Sequence, residues 1–208
     1  MEPLNVTATA TQFTSNAFLV DGETTTLVDA GSMPGVVDVI TEQVESVDRV
    51  VLTHQHGDHI GALGDVLDAF DADLYAYADH PRRTDALGEG EEIRIGDEVC
   101  TVVHTPGHAD DHVSLVGDES LYSGDVVVYN DGAFDDGSFG RTDRPEQSRE
   151  QLIESLRAIL SVLPDSVSAM YPGHGRVFHA EDGGDDVRTV IERALERAER
   201  RQPKYPDE

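Results

Sequence analysis

Short apolar runs that each end in a polar, histidine- or aspartate-bearing turn recur along this chain. Val50-Val51-Leu52 has the length and β-branched content of a buried strand and leads into Thr53–Ile60, THQHGDHI. Val6–Ala10, Ala17–Val20, Thr25–Asp29, Leu74–Ala78, Val113–Val116, Ser120–Tyr122 and Ser166–Tyr171 also read as strands, and Val126–Tyr129 continues an apolar run. Glu91–Ile95 and Val99–Val103 flank Gly96-Asp97 as a hairpin would. Helical spacing marks Pro34–Val47 through Val36, Val37, Ile40, Val44 and Val47, and it predicts a helix over Ile60–Phe70. Ser148-Arg149-Glu150-Gln151 is a capping-box pattern opening a helix to Leu163, and Val187–Arg201 forms the last helix. Asp79–Glu92 is charged and Asn130–Arg144 is rich in Gly and Asp, so both read as loops. A loop as long as the second, inside a compact domain, is often functional.

Charge changes the picture more than size does. The 208 residues suit one domain, 1–208, with a sizeable core. Against 42 acidic residues stand 15 basic ones, of which Lys204 is the single lysine, giving a formal charge of -27. Such a charge strains a compact fold by self-repulsion. At molar salt the Debye length falls to about 3 Å and the repulsion is screened, so a halophilic protein from a salt-rich cytoplasm is expected. Nucleic acid is excluded as a partner, because phosphate binding needs a basic surface. Met1–Ala10 has no signal-peptide pattern, and no apolar run reaches membrane-span length. Cys100 is the lone cysteine, which excludes an intrachain disulfide and reads as a buried, inert thiol in a reducing compartment.

The turns carry the chemistry. His54 and His56 are two apart, so on an extended backbone their rings face one way. Asp58 and His59 follow Gly57, where the chain can turn sharply. These are ligand types that Zn²⁺ and similar divalent ions prefer. TPGH brings His108, SGD brings Asp125 and PGHG brings His174, each after a strand-like run. Turns at the ends of neighbouring strands meet in space. Seven candidate ligands exceed the three or four that one zinc takes, whereas two metals sharing Asp125 would use them all. Two ions roughly 3.5–4 Å apart can hold a hydroxide that is nucleophilic at neutral pH and stabilise the oxyanion formed on attack. Asp29, in VDAG, suits either a helix cap or an acceptor behind a metal-bound histidine. His80, His104 and His179 carry no assigned role. His112, four after His108, reads as a surface residue, with a place behind the metal ligands as the alternative; Tyr129 and Tyr171 read as packing, with substrate contact as the alternative.

The order HxHxDH, then His, Asp and His after strands, resembles the metallo-β-lactamase fold superfamily from Asp29 to His174. The resemblance implies an α/β fold, an αββα four-layer sandwich of two mixed β-sheets flanked by helices. It implies His54, His56 and His108 on one metal, Asp58, His59 and His174 on a second, and Asp125 bridging. The cofactor would be two divalent ions, zinc, with iron or manganese as alternatives. SGD places Asp where the zinc β-lactamases have Cys, which disfavours antibiotic hydrolysis. Gly137–Asp143, GSFGRTD, resembles a loop of glyoxalase II-like and persulfide dioxygenase-like members.

The leading expectation is a glyoxalase II-like, hydroxyacyl-thiol thioester hydrolase acting on a small molecule. A metal-bridging hydroxide would attack the carbonyl, with Asp58 and Asp125 as catalytic carboxylates. Arg141 would steer an anionic substrate or form a loop salt bridge. One alternative is a mononuclear-iron persulfide dioxygenase using His54 or its neighbours with His108 and Asp125. Another is lactone or ester hydrolysis at the same dinuclear site. An RNA-processing nuclease shares HxHxDH, but the charge opposes it. Full-length glyoxalase II enzymes add a helical domain whose basic residues hold glutathione, and here about one helix follows His174. Arg193, Arg197, Arg200 and Arg201 are candidate substitutes, although basic residues on a last helix also favour its dipole.

Overall fold

Alternation along the strands decides the architecture. In the computed structural model, which describes residues 2–180 and 184–200, successive strand residues face two different cores. Leu27, Val50 and Leu74 point to one side with Ile40, Val66 and Leu67, whereas Val28 and Val51 point to the other with Phe18, Val102 and Leu115. Val103, Leu121 and Met170 face a third core with Leu152, Leu156, Val190 and Ile191. Three cores between four layers make an αββα sandwich, as the HxHxDH resemblance implied.

The first sheet runs in the order β1 (Leu4–Asn5), β2 (Phe18–Val20), β3 (Thr26–Val28), β4 (Arg49–Val51), β5 (Asp73–Ala76) and β6 (Asp85–Ala86). Its first three strands are antiparallel, and β3 through β6 are parallel. The second sheet runs β12 (Phe178–His179), β11 (Ala169–Pro172), β10 (Ser120–Gly124), β9 (Val113–Val116), β8 (Glu98–His104) and β7 (Glu92–Ile95). It is antiparallel except for the β10–β11 pair. Helices α1 (Val36–Thr41) and α3 (Leu63–Phe70) cover the first sheet. Helices α4 (Arg149–Val162) and α5 (Val187–Glu199) cover the second.

Several elements differ from the sequence reading. Val6–Ala10 is a turn rather than a strand, because the Asn5 side chain accepts from the Thr7 amide at 3.0 Å and its hydroxyl at 2.8 Å. The helix expected over Pro34–Val47 stops at Thr41, where the Gln43 amide bonds back to Ile40 at 2.9 Å and closes a tight turn. The helix expected from Ile60 is two pieces, and the first, α2 (Gly57–Ile60), already contains Asp58 and His59. The Ser148 cap forms as expected, its hydroxyl accepting from the Gln151 amide at 3.3 Å. Arg201, the expected last residue of the final helix, lies outside the described residues.

Candidate metal centre

Four strand ends build the site. β4 delivers His54 and His56, and α2 turns Asp58 and His59 back toward them. His108 follows β8, Asp125 follows β10, and His174 follows β11. All seven predicted ligands lie together. The side chains of His54, His56 and His108 place ligand atoms within 4.8 Å of one another, as do those of Asp58, His59 and His174. Asp125 stands between the sets: its Oδ2 is 3.2 Å from His108 Nε2 and 3.5 Å from His174 Nε2, and its Oδ1 is 3.5 Å from His59 Nε2.

Hydrogen bonds behind the rings set which nitrogens face the centre. The Arg141 carbonyl lies 2.9 Å from His108 Nδ1, which must donate to it, so Nε2 is the lone-pair nitrogen. The Thr53 hydroxyl donates to Asp29 Oδ2 at 2.7 Å and so accepts from His54 Nδ1 at 3.2 Å, which again leaves Nε2 facing inward. His59 Nδ1 donates to Asp29 Oδ2 at 2.8 Å. Asp29 is therefore the acceptor behind a site histidine and not a helix cap; such an outer carboxylate raises ligand basicity and fixes the ring.

This donor set fits divalent metal. His56 Nδ1 lies 2.9 Å from His54 Nε2 and 3.0 Å from His108 Nε2, a meeting of nitrogens that one shared cation would satisfy and one proton would not. His59 Nε2 and Asp125 Oδ1 are buried without a hydrogen-bond partner. A Cβ on Gly173 would sit 2.3 Å from Asp125 Oδ1 and 2.7 Å from His59 Cε1, so the glycine of PGHG makes room for the cluster.

The electrostatics are polarised. Burial holds the His54 and His108 pKa values below the ordinary histidine value. Burial acts the same way on His59, yet the Asp29 and Asp125 carboxylates lift it well above that value. Burial likewise opposes ionisation of Asp125, but His174, His59 and His108 hold it well below the usual carboxylate range. Asp58, 3.0 Å from His174 Nε2, is lowered against burial by that histidine.

A cavity of about 760 Å³ opens on the cluster through His56, Asp58, His108, Asp125 and His174. Phe13, 79% exposed, stacks on His174 with ring centroids 5.1 Å apart and so forms an apolar wall. Arg141, Arg144 and Arg176 line the same cavity, with Asp131. Arg141 makes a two-pronged pair with Asp143, at 2.8 and 2.5 Å. Arg144 and Arg176 make no ion pair among the described residues. The last-helix arginines are occupied elsewhere, Arg193 by Asp185 at 2.5 Å, Arg197 by Asp136 at 2.8 Å, and Arg200 by Glu196.

Sequence reasoning misplaced His112 and missed three cavity residues. His112 is not a surface residue; it is fully buried, with its ring centroid 5.1 Å from that of His54. Its spacing of four from His108 is the signal behind the alternative position, but the turn at 110–111 between them hides its direction, and β9 begins only after it, at Val113. Phe13 lies far from any ligand motif; Arg176, two residues after His174, and Arg144, just after GSFGRTD, sit beside motifs, but no pattern in the sequence marks them as cavity residues.

Comparison with known proteins agrees with this geometry. The family model for the metallo-beta-lactamase superfamily matches residues 10–174. The chain belongs to that superfamily. A hydroxyacylglutathione hydrolase of Aliivibrio fischeri (strain MJ11) is 32% identical over 151 residues, covering 71% of this chain and 56% of that protein. A Drosophila melanogaster beta-lactamase-like protein 2 homolog is 28% identical over 201 residues, covering 86% of this chain and 64% of its own length. The chain thus spans little more than half the length of the hydroxyacylglutathione hydrolase it matches. Among solved structures, ETHE1 from Myxococcus xanthus superposes with a TM-score of 0.73 at 24% identity, covering 100% of this chain and 94% of that one.

Proposed function

We propose that the chain is a metal-dependent hydrolase that cleaves a hydroxyacyl thioester. The observation that carries this reading is the pair of three-ligand sets meeting at Asp125 on the floor of one cavity. His54, His56 and His108 would hold one divalent ion, Asp58, His59 and His174 a second, and Asp125 both. When bound, the pair would supply a water-derived nucleophile at neutral pH and polarise the carbonyl. In the net reaction the water oxygen bonds to the carbonyl carbon, the C–S bond breaks, and the thiol keeps the sulfur and gains a proton. Asp58, kept ionised beside His174, accepts a hydrogen bond from the attacking water and aims it. Phe13 shields the centre from solvent, and Arg144 and Arg176 attract an anionic part of the substrate. The similarity to a hydroxyacylglutathione hydrolase supports the choice of thioester.

A second reading, a mononuclear-iron dioxygenase acting on a persulfide, draws on the GSFGRTD loop and would leave Asp58, His59 and His174 without a metal. Metal content per chain, on protein purified without chelators, separates the two. About two equivalents together with hydrolysis of a lactoyl thioester supports the hydrolase. A single iron with oxygen uptake on a thiol persulfide overturns it.

A further inference from the structure

The buried His112 has no place in the metal set, yet it touches the residue on which that set converges. The Asp125 amide donates to His112 Nε2 at 2.9 Å. A nitrogen that accepts carries no proton, so the ring hydrogen is on Nδ1, 2.7 Å from Thr105 Oγ1. Thr105, having accepted, donates its own hydrogen to Ser114 Oγ at 3.1 Å, and Ser114 donates to the Ser123 carbonyl at 3.3 Å. Every member of this chain is fully buried, so each direction is fixed by the one before it. The ring reaches Asp125 because position 124 is glycine: a Cβ there would stand 2.4 Å from His112 Nε2, and the backbone has φ +51°. The chain thus ties the turn bearing His108 to the turn bearing Asp125.

We infer that His112 is a positioning residue for the metal centre, a neutral Nδ1–H imidazole that holds the Asp125 backbone so that its carboxylate faces both histidine sets. It touches neither metal nor substrate. Its ring also packs at a 36° tilt against that of His54, with centroids 5.1 Å apart, and so holds a second ligand from the same side chain. Removing it leaves the Asp125 amide buried and unpaired, which frees the turn to rotate and withdraws the shared carboxylate. This role concerns metal loading and holds whichever reaction the centre performs.

The test uses the full chain with cobalt(II) as probe, its affinity measured by chelator competition and its ligand field by visible absorption. His112→Leu, folded by circular dichroism, is expected to bind cobalt about 10–100-fold more weakly and with a shifted spectrum, the usual cost of losing an outer-shell partner. His112→Gln is expected to restore much of the affinity, since its amide oxygen can accept from Asp125 and its NH₂ can donate to Thr105. A residue that served packing alone would lower the unfolding midpoint and leave affinity and spectrum as in the wild type. That result, in folded His112→Leu, overturns the inference. Should His112→Leu fail to fold, Thr105→Val decides: it keeps the ring but removes the acceptor that selects the tautomer. Weaker cobalt binding then supports the role, and wild-type binding overturns it.

Discussion

Asp29 Oδ2 lies 2.8 Å from His59 Nδ1, with the carboxylate almost wholly buried and its backbone in the left-handed region at φ 57°. The same carboxylate takes the Thr53 amide at 2.8 Å and the Thr53 hydroxyl at 2.7 Å. One side chain after β3 thus fixes a site histidine on α2 and Thr53, the residue before His54 in the turn after β4. Asp29→Ala is expected to weaken metal binding about 10–100-fold and to cost roughly 1–3 kcal/mol of stability, since buried donors lose their acceptor. Metal titration and denaturant unfolding of the variant check both. Unchanged affinity would show that His59 keeps its orientation without Asp29.

Asp125 is expected to be the position least tolerant of change, because it is within 3.5 Å of His59, His108 and His174 together. Asp125→Ala abolishes thioester turnover and lowers the metal content per chain. His80→Ala, in the loop before β6, where the ring accepts from the Arg82 amide and belongs to neither ligand set, leaves both at the wild-type value. Elemental analysis beside a thiol-release assay makes the comparison, and wild-type turnover in Asp125→Ala would end the assignment of the shared ligand.

Most of this site is legible in the sequence for a physical reason. A metal set needs His and Asp at strand ends, and strand-then-turn patterns announce themselves through β-branched runs followed by Gly and Pro. The seven candidate ligands follow from that, whereas the four layers follow from the family resemblance that the HxHxDH order carries. Lengths of short helices do not, because α1 and α2 are set by tertiary packing and by single turn bonds rather than by propensity. Nor does the direction of His112, which depends on which strand its turn starts. Arg144 and Arg176 reach the cavity through irregular backbone, where spacing predicts nothing.

Those two arginines are expected to set substrate preference. Among the described residues nine arginines pair with carboxylates, Arg141 at the cavity included, whereas these two line the cavity without such a partner. Arg144→Gln and Arg176→Gln should each raise KM for a thioester with a carboxylate-bearing thiol about 3–10-fold, with kcat little changed, as loss of uniform binding does. A thioester of a neutral thiol should show no such change. Equal effects on both substrates would place the arginines in folding and not in recognition.

Asp136 fastens the long loop to α5 and gives a pH signature. Its carboxylate takes Arg197 at 2.8 Å and faces Arg193 at 3.9 Å, while the Arg197 guanidinium lies 4.2 Å over the Phe134 ring. The Arg197 hydrogen bond holds the Asp136 pKa below the usual carboxylate value. A folded value below the unfolded one means the stabilisation is complete above the unfolded pKa and is lost as pH falls through the folded one. Because the side chain is 51% exposed, Asp136→Asn should cost under about 1 kcal/mol at pH 7. The gap to the wild type should close as the pH drops below the carboxylate range. Urea midpoints across pH test this, and a gap that persists in acid would mean the pair acts through packing.

The charge of -27 makes salt a stability variable. Acidic groups are spread over the exposed loops and helix faces, and the arginines that would neutralise them number 14. Most of the ion pairs they form are solvent-exposed and each is worth little. Self-repulsion therefore dominates in dilute buffer, and screening removes it once the Debye length is near 3 Å. Thermal unfolding in 2 M KCl should lie about 5–10 °C above that in 0.1 M KCl, equivalent to roughly 2–3 kcal/mol for a chain of this size. An equal osmolality of sucrose, which strengthens burial but screens nothing, should give a smaller rise. If dilute buffer, sucrose and molar KCl all gave one midpoint, the acidic surface would carry no adaptation to salt.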